Sequence, residues 1–356
     1  MRPRTIDGTM AVGIVGIAAV WVCMVLLLLQ GGAAHFLWLG QESPSLPLAH
    51  EVLGPDVPVP LKDHYDGEWF WNLARNPTLS DKAGLEARLD RPLYRAQRIG
   101  YPLLAAPWLV GGEEALVWGL VITNALAVVV GAAVMVRAVR DLGGPPLAVL
   151  ALPLAPACLV AALADLPDLL MVTACVGVIL ALRRQRLGLA VAAAIAAVLL
   201  KEVAFLGLLG LAVLGPGLSK RERLAITVPP ALVAAAWAAY VRLRLDATAE
   251  ATVEEFQPIP FKGIIDTWHD RWQPAGRPDL LVLALILVGL GTFVVVRFLQ
   301  QRQLETALAL PFALLIPFFT TQVLDVPLNS TRAVGPMITL LVLDVTARRV
   351  PAQPLR

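Results

Sequence analysis

From Lys62 to Arg75 the chain reads Lys-Asp-His-Tyr-Asp-Gly-Glu-Trp-Phe-Trp-Asn-Leu-Ala-Arg, and here its chemistry is densest. The carboxylates Asp63, Asp66 and Glu68 stand beside the aromatics Trp69, Phe70 and Trp71. A carboxylate in such a loop serves as general base toward a hydroxyl when the acceptor lies within hydrogen-bond reach. Asp66-Gly67 reads as the entry to a helix starting near Glu68, with Asp66 as its N-cap and Gly67 permitting close approach of a ligand or of other backbone. The competing reading makes the aromatics a membrane-interface anchor and Asp66 a cap and nothing more.

Arg88, Arg91, Arg95 and Arg98 follow, just ahead of Gly100-Tyr101-Pro102 and a short apolar run over 101–110. Guanidinium groups donate in a fork that suits phosphate, so a lipid-linked phosphate at a membrane surface is one partner for them. The acidic residues of the same segment are another. Lys201-Glu202 interrupts the apolar stretch 187–217; an ionisable pair near membrane depth is a functional site by default, and the alternative is a short outer turn whose two charges satisfy each other. Asp165 and Asp168, in an outer turn between two apolar runs, invite the same functional reading, with a solvated turn as the stronger alternative. Arg332 opens the last apolar run and either reaches the same cavity or snorkels.

These residues need elements to hold them. Of 356 residues 58% are hydrophobic and 16% charged, against about 25% charged in soluble domains, which excludes an ordinary soluble globule and a disordered chain. Mean hydropathy is +0.71. Apolar runs cover 10–29, 115–136, 147–163, 168–182, 225–241, 280–298, 304–323 and 333–345, and 187–217 reads as two abbreviated helices meeting at Lys201-Glu202. The expectation is an all-α polytopic membrane protein of about ten transmembrane helices, one domain over 1–356, with 101–110 as a re-entrant or interfacial helix. The first run, preceded by Arg2 and Arg4, reads as a retained anchor. Basic clusters at Arg137/Arg140, Arg183/Arg184/Arg186, Lys220/Arg221/Arg223, Arg297/Arg302 and Arg348/Arg349/Arg356 place both termini in the cytoplasm. The segments 30–100 and 246–278 then face outside, and the long first loop is the working face. A chain rich in Ala, Leu, Val and Arg fits a bacterial inner or plasma membrane.

Cys23, Cys158 and Cys175 fall inside apolar runs and read as small core residues. No phosphate-cradling Gly-rich loop, metalloprotease helix or serine elbow is present, and His35, His50, His64 and His269 are scattered. No cofactor is required. A divalent metal is possible at Asp63 and Asp66 but not indicated, and nothing points to nucleic acid.

The stretch from Tyr65 to Arg75 resembles the W-D-G-x-(W/F/Y)-Y-x-x-I-A loop of GT-C membrane glycosyltransferases, nearest to the GPI mannosyltransferase II-like branch and its bacterial relatives. Arg95-Ala-Gln-Arg98-Ile-Gly-Tyr101-Pro102-Leu-Leu resembles R-x-x-R-x-x-Y-P-L-L of those relatives, and Leu199-Leu200-Lys201-Glu202 resembles an L-(T)-(K/R)-E segment deeper in such chains. Tyr65 replaces the usual Trp, and Phe70 stands where Tyr is common. The motifs cover about a fifth of the chain. The resemblance implies a GT-C-like bundle with a long outer first loop. It implies an inverting transferase that moves a sugar, mannose favoured, from a polyprenyl-phosphate carrier in the membrane lipid to a glycan, lipid or protein hydroxyl outside. Asp66 would be the base, with Asp63 as its substitute. Arg98, Lys201, Arg332 and Arg95 would hold the donor phosphate, and Glu68, Trp69, Trp71, Tyr101 and Glu202 would contact substrate.

A transporter or flippase for a lipid-linked or anionic substrate would also carry about ten spans and buried ions. Its polar residues should gather at the midplane, whereas here they gather at the outer ends of spans. A non-catalytic scaffold would leave Arg98 and Lys201-Glu202 without a purpose.

Overall fold

The computed structural model describes residues 7–246 and 256–347, so the basic residues Arg2, Arg4, Arg348, Arg349 and Arg356 lie outside the described residues. Helices dominate; the extended pairing among the described residues is limited to isolated bridges at Gly40–Leu61 and Phe256–Phe319. The chain opens with α1 (Gly8–Gly31), capped by Asp7, whose carboxylate accepts from the Met10 amide at 2.9 Å. Short helices then make up the first loop: α2 (Leu46–Leu53), α3 (Gly67–Arg75), α4 (Lys82–Arg88), α5 (Pro92–Arg95) and α6 (Gly100–Ala105). After the long α7 (Glu113–Asp141) come α8 (Pro156–Leu163), α9 (Asp168–Arg183), α10 (Leu187–Leu200), α11 (Ala204–Leu214), α12 (Lys220–Ala225) and α13 (Val228–Arg244). The last third holds α14 (Lys262–Thr267), α15 (Pro278–Gln301), α16 (Leu304–Leu315), α17 (Thr321–Leu324), α18 (Pro327–Ala333) and α19 (Gly335–Thr346).

Among the described residues, four helical stretches are long and apolar enough to cross a membrane: Gly8–Gly31, Glu113–Asp141, Lys220–Arg244 and Pro278–Gln301. The other apolar runs fold as shorter pieces, so the described helices do not carry the expected count of about ten. The sequence explains the shortening. Pro153 and Pro156 divide the run 147–163 into a 3-10 turn and α8, because proline supplies no amide to continue a helix. Pro317 likewise ends the run that begins with α16. Lys201, in extended backbone, separates α10 from α11, as its charge within an apolar stretch suggested. The run 101–110 is also short, α6 followed by a 3-10 turn.

α7 packs between α1 and α9; α9 lies on α10, and α16 is shared by α11, α15 and α19. Small residues set these separations, as in other apolar helix bundles. Gly207 and Gly210 of α11, for example, abut Phe312 and Pro311 of α16. Two other glycines position the charged residues of the first loop. A β-carbon at Gly67 would stand 2.7 Å from the Ala164 carbonyl oxygen and within 3.0 Å of those of Phe36 and Leu37. One at Gly100 would stand 2.9 Å from the backbone of Leu199. Glycine at these two places seats α3 against the turn before α9, and α6 against the break after α10.

Candidate functional site

Five segments distant in the chain bring their charges together: the start of α3, the α5 region, the start of α9, the α10–α11 break and α18. Asp168, the first residue of α9, is fully buried and takes the Lys201 ammonium at 2.6 Å on one carboxylate oxygen. Its other oxygen accepts from Nε and Nη2 of Arg332 at 3.1 and 3.0 Å. The third nitrogen of that guanidinium, Nη1, lies 2.9 Å from Asp66 Oδ2 and donates to the Tyr65 hydroxyl at 3.1 Å. Tyr65 in turn donates to Asn329 of α18 at 3.3 Å.

Arg95 repeats the arrangement from the other side. Its Nε and Nη2 fork onto Asp90 at 2.9 and 3.0 Å, and its Nη1 lies 3.5 Å from Asp66 Oδ1. The guanidinium is stacked 3.5 Å from the centre of the Trp69 ring, which fixes its plane. Arg98 forks onto Glu202 at 3.0 and 2.8 Å and donates to the Tyr94 hydroxyl. Arg91 and Arg98 each stand 4.2 Å from the centre of the Tyr94 ring. Each cation of the site thus has a carboxylate, and bidentate arginine forks set the geometry.

Asp66 occupies the N-cap position of α3, yet its side chain accepts no capping hydrogen bond. The expectation of a cap is corrected, because two guanidinium groups compete for the carboxylate and win it. Burial pushes the Asp66 carboxyl upward, but the charges of Arg95, Arg332 and Arg98 outweigh burial and hold it well below the usual carboxylate range. Glu68, two residues on, is fully buried and behaves in the opposite way. Burial pushes it up to about 8; the hydroxyl of Ser43, which donates to it, pulls downward, and Asp90 and Asp66 add to the rise. Asn72, one turn along α3, donates to Ser45 Oγ and to the Glu68 carbonyl, both at 2.9 Å.

The structure therefore gathers Asp66, Arg95, Arg98, Lys201, Arg332 and Glu202. It places other expected residues elsewhere. Asp63 is exposed on the loop before the site, apart from the ion pairs that gather around Asp66. Trp71 is fully buried in the core, with Arg75 stacked at 5.5 Å, and cannot face a substrate. Trp69 is buried beneath Arg95 and acts as its platform. Tyr101 is also fully buried: its hydroxyl lies 3.0 Å from the Leu120 carbonyl and 3.2 Å from Asp165, and accepts from Asn124 at 2.9 Å. Glu68 lies behind the site, held by Ser43, which is not the substrate-facing place expected for it. Asp168, read as part of a solvated turn, is the deepest acid of the network. Asp90 and Asn329 were not singled out, and only their spacing to Arg95 and Arg332 pointed to them.

Among the described residues no three His, Cys, Asp or Glu side chains are grouped to hold a metal ion. At the other end of α9, Arg183 forks onto the buried Glu305 at 3.1 and 2.8 Å, a pair remote from Asp168. Cys158 and Cys175 are buried and Cys23 half-buried, all as free thiols. Compared with protein-family models, with curated proteins and with solved structures, the chain matches none.

Proposed function

We propose that the chain is an inverting glycosyltransferase of the GT-C kind. It would take a sugar from a polyprenyl-phosphate carrier and pass it to an acceptor hydroxyl on the non-cytoplasmic face of a membrane. One observation carries the reading: the Asp66 carboxylate sits between Arg95 and Arg332 and feels the charge of Arg98, while Lys201 joins Arg332 through Asp168, all of them buried. A base beside a cluster of fixed cations is what displacement at an anomeric carbon requires. The acceptor oxygen forms its bond to that carbon as the bond to the phosphate oxygen breaks. The electron pair leaves with the lipid phosphate, and the hydroxyl proton passes to Asp66. Negative charge grows on the departing phosphate, where preorganised cations stabilise it most. The short apolar helices around the site are read as further crossings of a bundle of about ten. The preference for mannose rests on the resemblance.

The test is release of free polyprenyl phosphate from polyprenyl-phosphate mannose by the purified chain in detergent, beside Asp66→Asn. Loss of a general base lowers turnover by roughly 10²–10⁴-fold. Near-normal release by the variant removes Asp66 from that role. Arg98→Ala is expected to weaken donor use more than acceptor use, and equal loss of both makes Arg98 structural.

A further inference from the structure

Arg95 and Arg332 are held alike, and the likeness shows what the space between them is for. Each uses Nε and Nη2 to grip a carboxylate of its own, Asp90 for Arg95 and Asp168 for Arg332. Each is thereby fixed in plane and left with one nitrogen, Nη1, aimed inward. The two Nη1 atoms meet at the Asp66 carboxylate, one on each oxygen, at 3.5 and 2.9 Å. Asp66 makes none of the two-bond forks that secure the other acids, and it spends nothing on capping its own helix. It fills a place where two anchored guanidinium groups converge. Lys201, held by Asp168 at 2.6 Å, is joined to Arg332 through that carboxylate.

We infer that the point between Arg95 Nη1 and Arg332 Nη1 is an anion position that Asp66 occupies at rest. A prenyl phosphate ester enters it by displacing the Asp66 carboxylate. The inference rests on the function proposed above and adds an order of events to it. While two guanidinium groups hold Asp66, its carboxylate is a poor proton acceptor. Once phosphate oxygens take those nitrogens, the carboxylate is free to accept the acceptor's proton. Donor binding thus arms the base, and an acceptor arriving first finds it occupied. Asp90 and Asp168 are positioning residues in this scheme: they hold the arginines and touch no substrate.

The test is equilibrium binding of farnesyl phosphate, with farnesol as the uncharged control, to the purified full chain in detergent. An Asp66 that competes for the anion position predicts that Asp66→Asn and Asp66→Ser bind farnesyl phosphate tighter than wild type, by about ten-fold or more. Asp66→Glu, which keeps the charge, gains nothing. Asp168→Asn, which frees Arg332 from its anchor, binds more weakly. Unchanged or weaker binding by both neutral Asp66 variants overturns the exchange while leaving a phosphate-binding transferase intact. Failure of wild type and every variant to prefer farnesyl phosphate over farnesol overturns the transferase reading together with the exchange. Should neither neutral variant fold, carbodiimide labelling of wild type read by mass spectrometry decides the matter. Labelling of Asp66 that rises with farnesyl phosphate supports the exchange, and labelling that does not change overturns it.

Discussion

Replacing Asp168 by Asn is expected to cost much more stability than replacing Lys201 by Met, although each removes the same ion pair. The asymmetry follows from who keeps a partner. Without the Asp168 charge, the buried Lys201 ammonium loses the carboxylate at 2.6 Å and is left facing the like charges of Arg332 and Arg98. Arg332 loses the charge of the one oxygen, Asp168 Oδ2, that accepts from both its Nε and its Nη2, and retains Asp66 and Tyr65. Stranding a buried charge in this way costs about 3–5 kcal/mol. Lys201→Met leaves Asp168 with two N–H donors from Arg332, so the loss is that of one charged hydrogen bond, about 1.5–3 kcal/mol, partly offset by the apolar side chain. Asp168→Asn combined with Lys201→Met removes the stranded ammonium, and so should be less destabilised than Asp168→Asn alone, with a coupling of about 1–3 kcal/mol. Unfolding in detergent followed by the fluorescence of the nine tryptophans measures all three. A Lys201→Met variant as damaged as Asp168→Asn, or strictly additive losses in the double variant, would falsify the three-way bridge.

Glu68 gives a pH signature. Its carboxyl is raised in the fold from an ordinary 4.5 to about 8, so the folded chain holds a proton that the unfolded chain has released. The stabilisation is complete below about pH 4.5 and is lost as pH rises toward 8. Glu68→Gln is expected to flatten that part of the stability profile, and a melting temperature that falls with pH as steeply as in wild type contradicts the assignment. Gly67→Ala forces a β-carbon against three backbone carbonyls. Overpacking of this kind costs roughly 1–3 kcal/mol, and here it also pushes Asp66 away from Arg332. Donor-phosphate release should therefore fall further in this variant than in one with alanine at the exposed Gly188; equal release in the two refutes a positioning role for the glycine.

The members of the site that were legible in the sequence are those whose charge conflicts with their surroundings. Lys201 inside an apolar stretch, Arg332 at the mouth of another, and arginines crowded before a third each cost free energy unless partnered, which marks them without a structure. Asp168 escaped because Ala-Asp-Leu-Pro-Asp has the composition of a wet turn, and hydropathy cannot tell a turn at the surface from one beneath a folded loop. That turn is covered by Gly67 and the first-loop helices, a tertiary fact. Trp69 and Trp71 were read alike because both are aromatic and two residues apart, but at about 100° per residue a helix turns them to nearly opposite faces. One supports Arg95, and the other fills the core with Arg75 stacked on it. Helix length stayed hidden for a related reason: apolar composition marks what avoids water, while the prolines at 153, 156 and 317 shorten the helices of two of the apolar runs.

Arg332 lies 164 residues after Asp168 and 267 after Tyr65. During synthesis the N-terminal two-thirds of the chain emerges carrying Asp66 and Asp168 without the guanidinium that binds both. α18 therefore completes the charge network as well as forming part of the site. A nascent chain halted before it holds two acids in an apolar setting with one of their cations missing, a defect that persists until Arg332 has been made. Quality control that recognises unpaired charge within membranes would find its target in products truncated between Asp168 and Arg332 and lose it once α18 is in place.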